Sequence, residues 1–153
     1  MRTVRNSFLN QNVYADNHLI EKDEHQNWFS KLSGDRDFFF VIVDKESGRP
    51  VGMAGCHQIR TPAGSGEISI YLTKENKSPV APFHAMRLLL DLAFDVVKLD
   101  RVFGKFLKEN TRAIRFNAAF GFKQKCADET FVTTELTAKD FRAEQEALNR
   151  LRC

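Results

Sequence analysis

Cysteine is scarce in this chain: Cys56, Cys126 and Cys153 are odd in number, far apart and without a CxxC pairing. A disulfide framework and a zinc site are therefore not expected, no metal is called for, and a reducing, cytoplasmic setting fits best. No apolar run approaches the length of a membrane span, and the opening "MRTVRNSFLNQ" has no apolar signal core, so no membrane partner is expected. Lys and Arg are interleaved with acids and give a net charge of only +3. Without a basic block, nucleic acid is not an expected partner. Tyrosine and tryptophan are rare (two and one) beside 14 phenylalanines. That balance suits an aromatic core, not a platform for stacking bases. Repeats, low-complexity stretches and dividing linkers are also missing, so residues 1–153 read as one domain, long enough to bury a single core.

What is present alternates between helical and extended patterns. In "IEKDEHQNWFSKL", Ile20, Trp28, Phe29 and Leu32 recur at helical spacing. "DFFFVIVD" (37–44) is a short continuous apolar run, predicting a buried strand, and "VGMAGCHQIR" after the turn "KESGRP" completes an antiparallel hairpin. In "EISIYL" (67–72), Ile68, Ile70 and Leu72 alternate with Glu67, Ser69 and Tyr71, so the two sets face opposite sides of a sheet. A long helix follows. Phe83, Met86, Leu89, Leu90, Ala93, Phe94 and Val97 form its apolar stripe, and Pro82 suits its first turn.

"RVFGKFL" comes after this helical crossover and is expected to run parallel to "EISIYL". Asn110 can cap a short helix over 111–120, which Gly121 ends. "TFVTTELT" is the last expected strand, and a polar helix over 138–152 closes the chain. The fold class predicted is α/β: a mixed twisted sheet with flanking helices.

The crossover unit over 67–107 carries the chemistry. Between two parallel strands, a helix N-terminus aims its amides and dipole at the sheet crevice, where a pyrophosphate binds well. The loop at that position, "ENKSPVAPFHAM", has no glycine and two prolines. Lys77, Ser78, Val80 and Ala81 are its candidate anion ligands, through a charge and backbone amides.

The ordered set "GEISIYL", "FHAMRLLLDLAF", "RVFGKFLKEN" and "TRAIRFNAAFGF" resembles the GCN5-related N-acetyltransferase (GNAT) superfamily over about 4–136. Upstream, "VRNSFLNQN" and "IEKDEHQNWFSKL" are similar to acetyltransferases of nucleotide-linked amino sugars of the pseudaminic-acid type, and in part to ribosomal-protein alanine acetyltransferases. The resemblance implies a V-shaped splay between "EISIYL" and "RVFGKFL" and acetyl-CoA as co-substrate. It also implies that the first strand usual in the family is missing. Glu67 falls where the general base is expected. Ile70, Tyr71 and Leu72 fall where backbone groups hold the thioester and pantetheine, and Asn110 where the pantetheine arm is bonded. Asn117 stands where the family usually has a tyrosine acid.

Each of these residues also has a purely structural reading. Glu67 suits a solvated strand edge, Asn110 a helix cap, Asn117 a buried amide. His25, Trp28 and His57 are candidates for an acceptor pocket, Trp28 by stacking, though a core Trp is the plainer expectation. His84 also flanks the cleft. The implied function is N-acetylation of a small amine, with a nucleotide-linked amino sugar as first choice. The rivals are protein N-terminal acetylation and a degenerate, non-catalytic acyl-CoA-binding or interaction domain. A sheet edge left open would make a homodimer plausible.

Overall fold

The computed structural model describes residues 2–6, 18–61, 63–73, 76 and 78–150. In chain order the elements are α1 (Arg2–Arg5), α2 (Lys22–Ser30), β1 (Phe38–Val43), β2 (Pro50–Arg60) and β3 (Ser65–Leu72). Then come α3 (Ala81–Asp91), a π turn (Leu92–Val96), β4 (Arg101–Leu107), α4 (Thr111–Ala118), β5 (Lys123–Ala127), β6 (Phe131–Thr137) and α5 (Ala138–Arg150). One six-stranded sheet runs in the order β1-β2-β3-β4-β6-β5. β3 and β4 are its parallel pair and the other neighbours are antiparallel. The mixed α/β sheet predicted from the sequence is thus the fold observed.

The core lies on one face. Ala54, Cys56, Ile68, Val102 and Leu136 of the sheet meet Met86, Leu89, Leu90, Ala93 and Phe94 from the crossover helix and Phe141 of α5. Each large apolar side chain buried there contributes about 1.5–3 kcal/mol. The stripe predicted for α3 is right in its middle and wrong at its start: Phe83 is 47% exposed. The helix also widens into a π turn, with Val97 N–H donating to Leu92 C=O at 2.8 Å. Ala93 and Phe94 are thereby buried and Val96 is turned outward. α4 begins as expected, Asn110 Oδ1 accepting from Ala113 N–H at 3.2 Å. Gly121 follows it with φ +82°, a value that favours glycine.

Two further expectations need correction, and one strand was not foreseen. β1 is not a buried strand but the sheet edge, with Phe40, Val41 and Val43 about half exposed. A continuous apolar run is compatible with burial but does not require it. Trp28 is not a core residue: it is 37% exposed, on a helix with no buried residue. β5 was unforeseen; all five of its residues are exposed, and it pairs with β6 alone.

Candidate active site

The pairing of β3 with β4 is brief. Ser65 pairs with Arg101, Gly66 with Val102 and Glu67 with Phe103, and there the parallel register ends. β3 continues to Leu72 and β4 to Leu107, so the two strands part with Glu67 at the apex of the opening.

The ladder decides which backbone groups face this gap. Thr73 N–H donates to Val51 C=O at 2.9 Å, continuing the β2–β3 register. Antiparallel pairs alternate, so Glu67, Ser69 and Tyr71 turn their backbone groups toward β2, whereas Ile70 and Leu72 turn theirs toward the gap. Of the three residues expected to offer backbone groups to a thioester, Ile70 and Leu72 are therefore aimed at the opening. Tyr71 is not; its side chain lines a cavity on the other face.

At the start of α3, Val80 is the N-cap residue and Pro82 lies in the first turn. Ser78 Oγ accepts from Ala81 N–H at 3.2 Å, and Asn76 Nδ2 donates to Ser78 C=O at 3.1 Å. Pro79 and Pro82 have no N–H, so this helix end has few donors compared with a glycine loop. Lys77 lies outside the described residues. Asn110 is occupied as the α4 cap. Asn117 is 5% exposed, and its Nδ2 donates to Ala113 C=O at 3.0 Å. It is a buried amide fastened to its own helix, with no acidic proton to give.

On the face opposite the core, Asp37 of the loop before β1 stands beside His57 of β2, and His57 pairs with Glu67 of β3. One strand step along, Phe39, Gly55 and Ser69 form the next row. A cavity of about 300 Å³ opens over these rows. The side chains of His25 and Trp28 from α2, Phe39, Met53, His57, Ser69 and Tyr71 line it, with Glu24 and Asp37 as its carboxylates.

Its wall is a run of rings. His25 lies 5.5 Å from Trp28, Trp28 meets Phe39 edge-on at 5.3 Å, and Phe39 stacks on His57 at 5.1 Å. Gly55 makes room for this: a Cβ there would stand 2.5 Å from Phe39 Cδ1. The three residues expected at an acceptor pocket, His25, Trp28 and His57, therefore share one cavity. Phe39, Gly55, Ser69 and Asp37 were missed. The alternation of β3, which puts Ser69 beside Glu67, was a signal that could have found the serine.

The titrating groups are poised by burial. Glu67 is half-buried, and loss of solvent pushes its carboxyl above the usual value, opposed in part by Lys105. Burial holds His57 below the ordinary histidine range against the pull of Asp37, favouring the neutral ring. Its Nε2 lies 3.1 Å from Ser69 Oγ. His25 is also lowered, first by burial and then by the positive N-terminus and Arg2. Its Nε2 is buried without a hydrogen-bond partner. Asp37 accepts from Gln58 N–H at 3.0 Å and Ser33 N–H at 3.1 Å, holding Gln58 at φ +52°. Cys56 is fully buried and its thiol is pushed up to about 11, so it is no nucleophile. No metal-binding cluster occurs among the described residues, nor a helix long and apolar enough to cross a membrane.

A sheet that parts after one short parallel stretch, with a half-buried carboxylate at the apex, agrees with the family profile that the sequence matches. The acetyltransferase (GNAT) domain profile aligns with residues 6–123. The chain belongs to the GNAT family. Enzymes of this family use acetyl-CoA. Among curated proteins, none matches this GNAT chain significantly.

Solved GNAT structures do match. A GCN5-related N-acetyltransferase from Brucella melitensis is 23% identical with a TM-score of 0.68, over 85% of this chain and 64% of that one. The apo form of FdhC, a nucleotide-linked sugar GNAT, gives 13% and 0.77, over 97% and 85%. The Vibrio cholerae spermidine N-acetyltransferase bound to CoA and spermine gives 16% and 0.74, over 92% and 86%. At these identities the likeness is one of fold.

Proposed function

We propose that the protein is an acetyl-CoA-dependent N-acetyltransferase of a small amine, working as one catalytic domain. The observation that carries this reading is the position of Glu67. It stands where β3 and β4 part, on the face shared with His57 and the ring-lined cavity.

Acetyl-CoA, when bound, supplies the activated acetyl group. The N–H and C=O groups of Ile70 and Leu72, aimed at the gap, hold the thioester and pantetheine end. Ser78, Val80 and Ala81 at the head of α3 are left for the pyrophosphate. Ala81 N–H must exchange Ser78 Oγ for the ligand, so this contact is weaker than a glycine loop would make. Asn110 keeps its cap and lies at the end of β4, where the arm would pass.

Glu67 takes the proton from the acceptor ammonium, directly or through water. Burial raises its basicity and so suits it to the task. His57, neutral and bonded to Ser69, positions the acceptor with His25 and Trp28. Asn117 has no part in proton transfer on this reading, and water protonates the departing thiolate.

A nucleotide-linked amino sugar remains the acceptor suggested by the sequence, and the fold likeness to FdhC and the ring of Trp28 support it. Its diphosphate is poorly matched by the carboxylates of Glu24 and Asp37 in the cavity wall. No cysteine is among the described residues that line the cavity, and Cys56 is sealed in the core, which fits direct transfer in a ternary complex. The test is thiol release from acetyl-CoA in the presence of an amine panel that includes peptides. Amine-dependent release, lost in Glu67→Gln while acetyl-CoA binding persists, supports the reading. Release that is unchanged in Glu67→Gln overturns the assignment of the base.

A further inference from the structure

The cavity under α2 has a chemistry more specific than that of a general amine site. Its described lining contains two carboxylates, Glu24 and Asp37, and neither Lys nor Arg. Glu67 adds a third acid beside it, next to His57. Burial favours the neutral forms of the two histidines in the wall, and the positive N-terminus and Arg2, which lie within electrostatic reach of His25, act on that ring in the same direction. The N-terminus of α2, beside the cavity, is taken by its own acids. Glu21 and Glu24 form a capping box there, with Asp23 in the same turn. Lys105, across the splay, is felt by Glu67, but its ammonium lies 4.2 Å from the centre of the Phe131 ring.

The walls also speak for the body of the ligand. Trp28, Phe39, Tyr71 and Met53 offer ring faces and apolar surface, which attract a cation on an apolar frame. His25 Nε2, buried and without a partner, is an acceptor awaiting a donor. The carboxylates do not form a row of free anchors. Glu24 is bonded to His18 at 2.8 Å and to Glu21 N–H, and both oxygens of Asp37 accept from backbone amides. They therefore supply a negative field rather than spaced clamps for a ligand with several charges.

Resting on the acetyltransferase reading, we infer that the acceptor is a phosphate-free monoamine carried on a ring-bearing apolar body, of the arylalkylamine class. Its ammonium enters a negative, ring-walled cavity. A nucleotide diphosphate is repelled there, and a polyamine finds no second anchor among the described residues.

Trp28 is the single tryptophan of the chain and stands in the cavity wall, so its fluorescence reports occupancy without acetyl-CoA. The full chain is titrated with phenylethylamine, spermidine, UDP-glucosamine and UDP. Phenylethylamine is expected to give a saturable change at least about ten-fold tighter than the other three. Its affinity should fall with added salt and by about two-fold in Glu24→Gln, a variant that keeps the capping-box geometry. Tighter binding of UDP-glucosamine, UDP or spermidine overturns the inference, as does the absence of a saturable change with any amine. Calorimetry with acetyl-CoA is run in parallel: failure there counts against the acetyltransferase reading, while the fluorescence result separately decides the acceptor class.

Discussion

Gly55→Ala tests the construction of the cavity at its tightest point. The added methyl carbon would lie 2.5 and 2.6 Å from Phe39 Cδ1 and Cε1, and 3.3 Å from Phe38 C=O. Carbon atoms in good contact are about 3.5–4.0 Å apart, so the ring must move by roughly 1 Å or more. It cannot slide freely, being stacked on His57 and met edge-on by Trp28. Overpacking of this kind costs about 1–3 kcal/mol, and replacing a strand glycine by alanine returns about 0.5–1 kcal/mol. A net loss of about 0.5–2 kcal/mol remains, equivalent to a fall in Tm of roughly 1–8 °C for a chain of this size.

The same displacement tilts the pocket wall, so amine affinity read by Trp28 fluorescence should drop about ten-fold. Acetyl-CoA affinity, which depends on the gap between β3 and β4, should stay within about two-fold. The double variant Phe39→Ala/Gly55→Ala should be less destabilised than the sum of its singles. Wild-type Tm and amine affinity in Gly55→Ala would refute the seating of Phe39 over Gly55.

Glu67→Gln should lower kcat by about 10²–10⁴-fold, the usual contribution of a general base, and should abolish the acidic limb of the rate profile. The same variant should gain stability at neutral pH. The raised carboxyl of Glu67 favours folding below its unfolded value and loses that advantage as pH rises through the folded value, so denaturant unfolding across this window should flatten in Glu67→Gln. His57 has the opposite sign: its lowered value contributes stability above the ordinary histidine range that is lost as pH falls through the folded value, and His57→Phe should remove that dependence. Asn110→Ala should cost about 1 kcal/mol in thermal unfolding as a lost helix cap. Asn117→Leu should leave kcat within about three-fold, since its amide is spent on Ala113 C=O; a loss of about 10²-fold would instead mark it as part of proton transfer.

The sequence was legible where local chemistry and burial agree. Glu67, Ser69 and Tyr71 alternate with Ile68, Ile70 and Leu72, and that period placed Glu67, Ser69 and Tyr71 on one face of the sheet, away from the core. Asn110 and Gly121 announced the ends of α4 because capping and positive φ need those residue types. β5 was invisible for a physical reason: an edge strand with no core contact, "KQKCA", carries no period-two signal. The burial of β1 was misread because an apolar run does not say which strand ends the sheet. The π turn escaped notice because one extra residue in a helical turn leaves the apolar stripe nearly intact until Val96. The gap-facing role of Ile70 and Leu72, and the outward role of Tyr71, depend on ladder phase, which needs the partner strand to be known.

Whether the parted strands hold acetyl-CoA despite the glycine-free head of α3 is settled most directly by calorimetric titration of the folded protein. Micromolar binding of acetyl-CoA, retained in Glu67→Gln, is the result predicted. No binding up to millimolar ligand, in protein shown by circular dichroism to be folded, would contradict it and leave the domain without the co-substrate on which the proposed reaction depends.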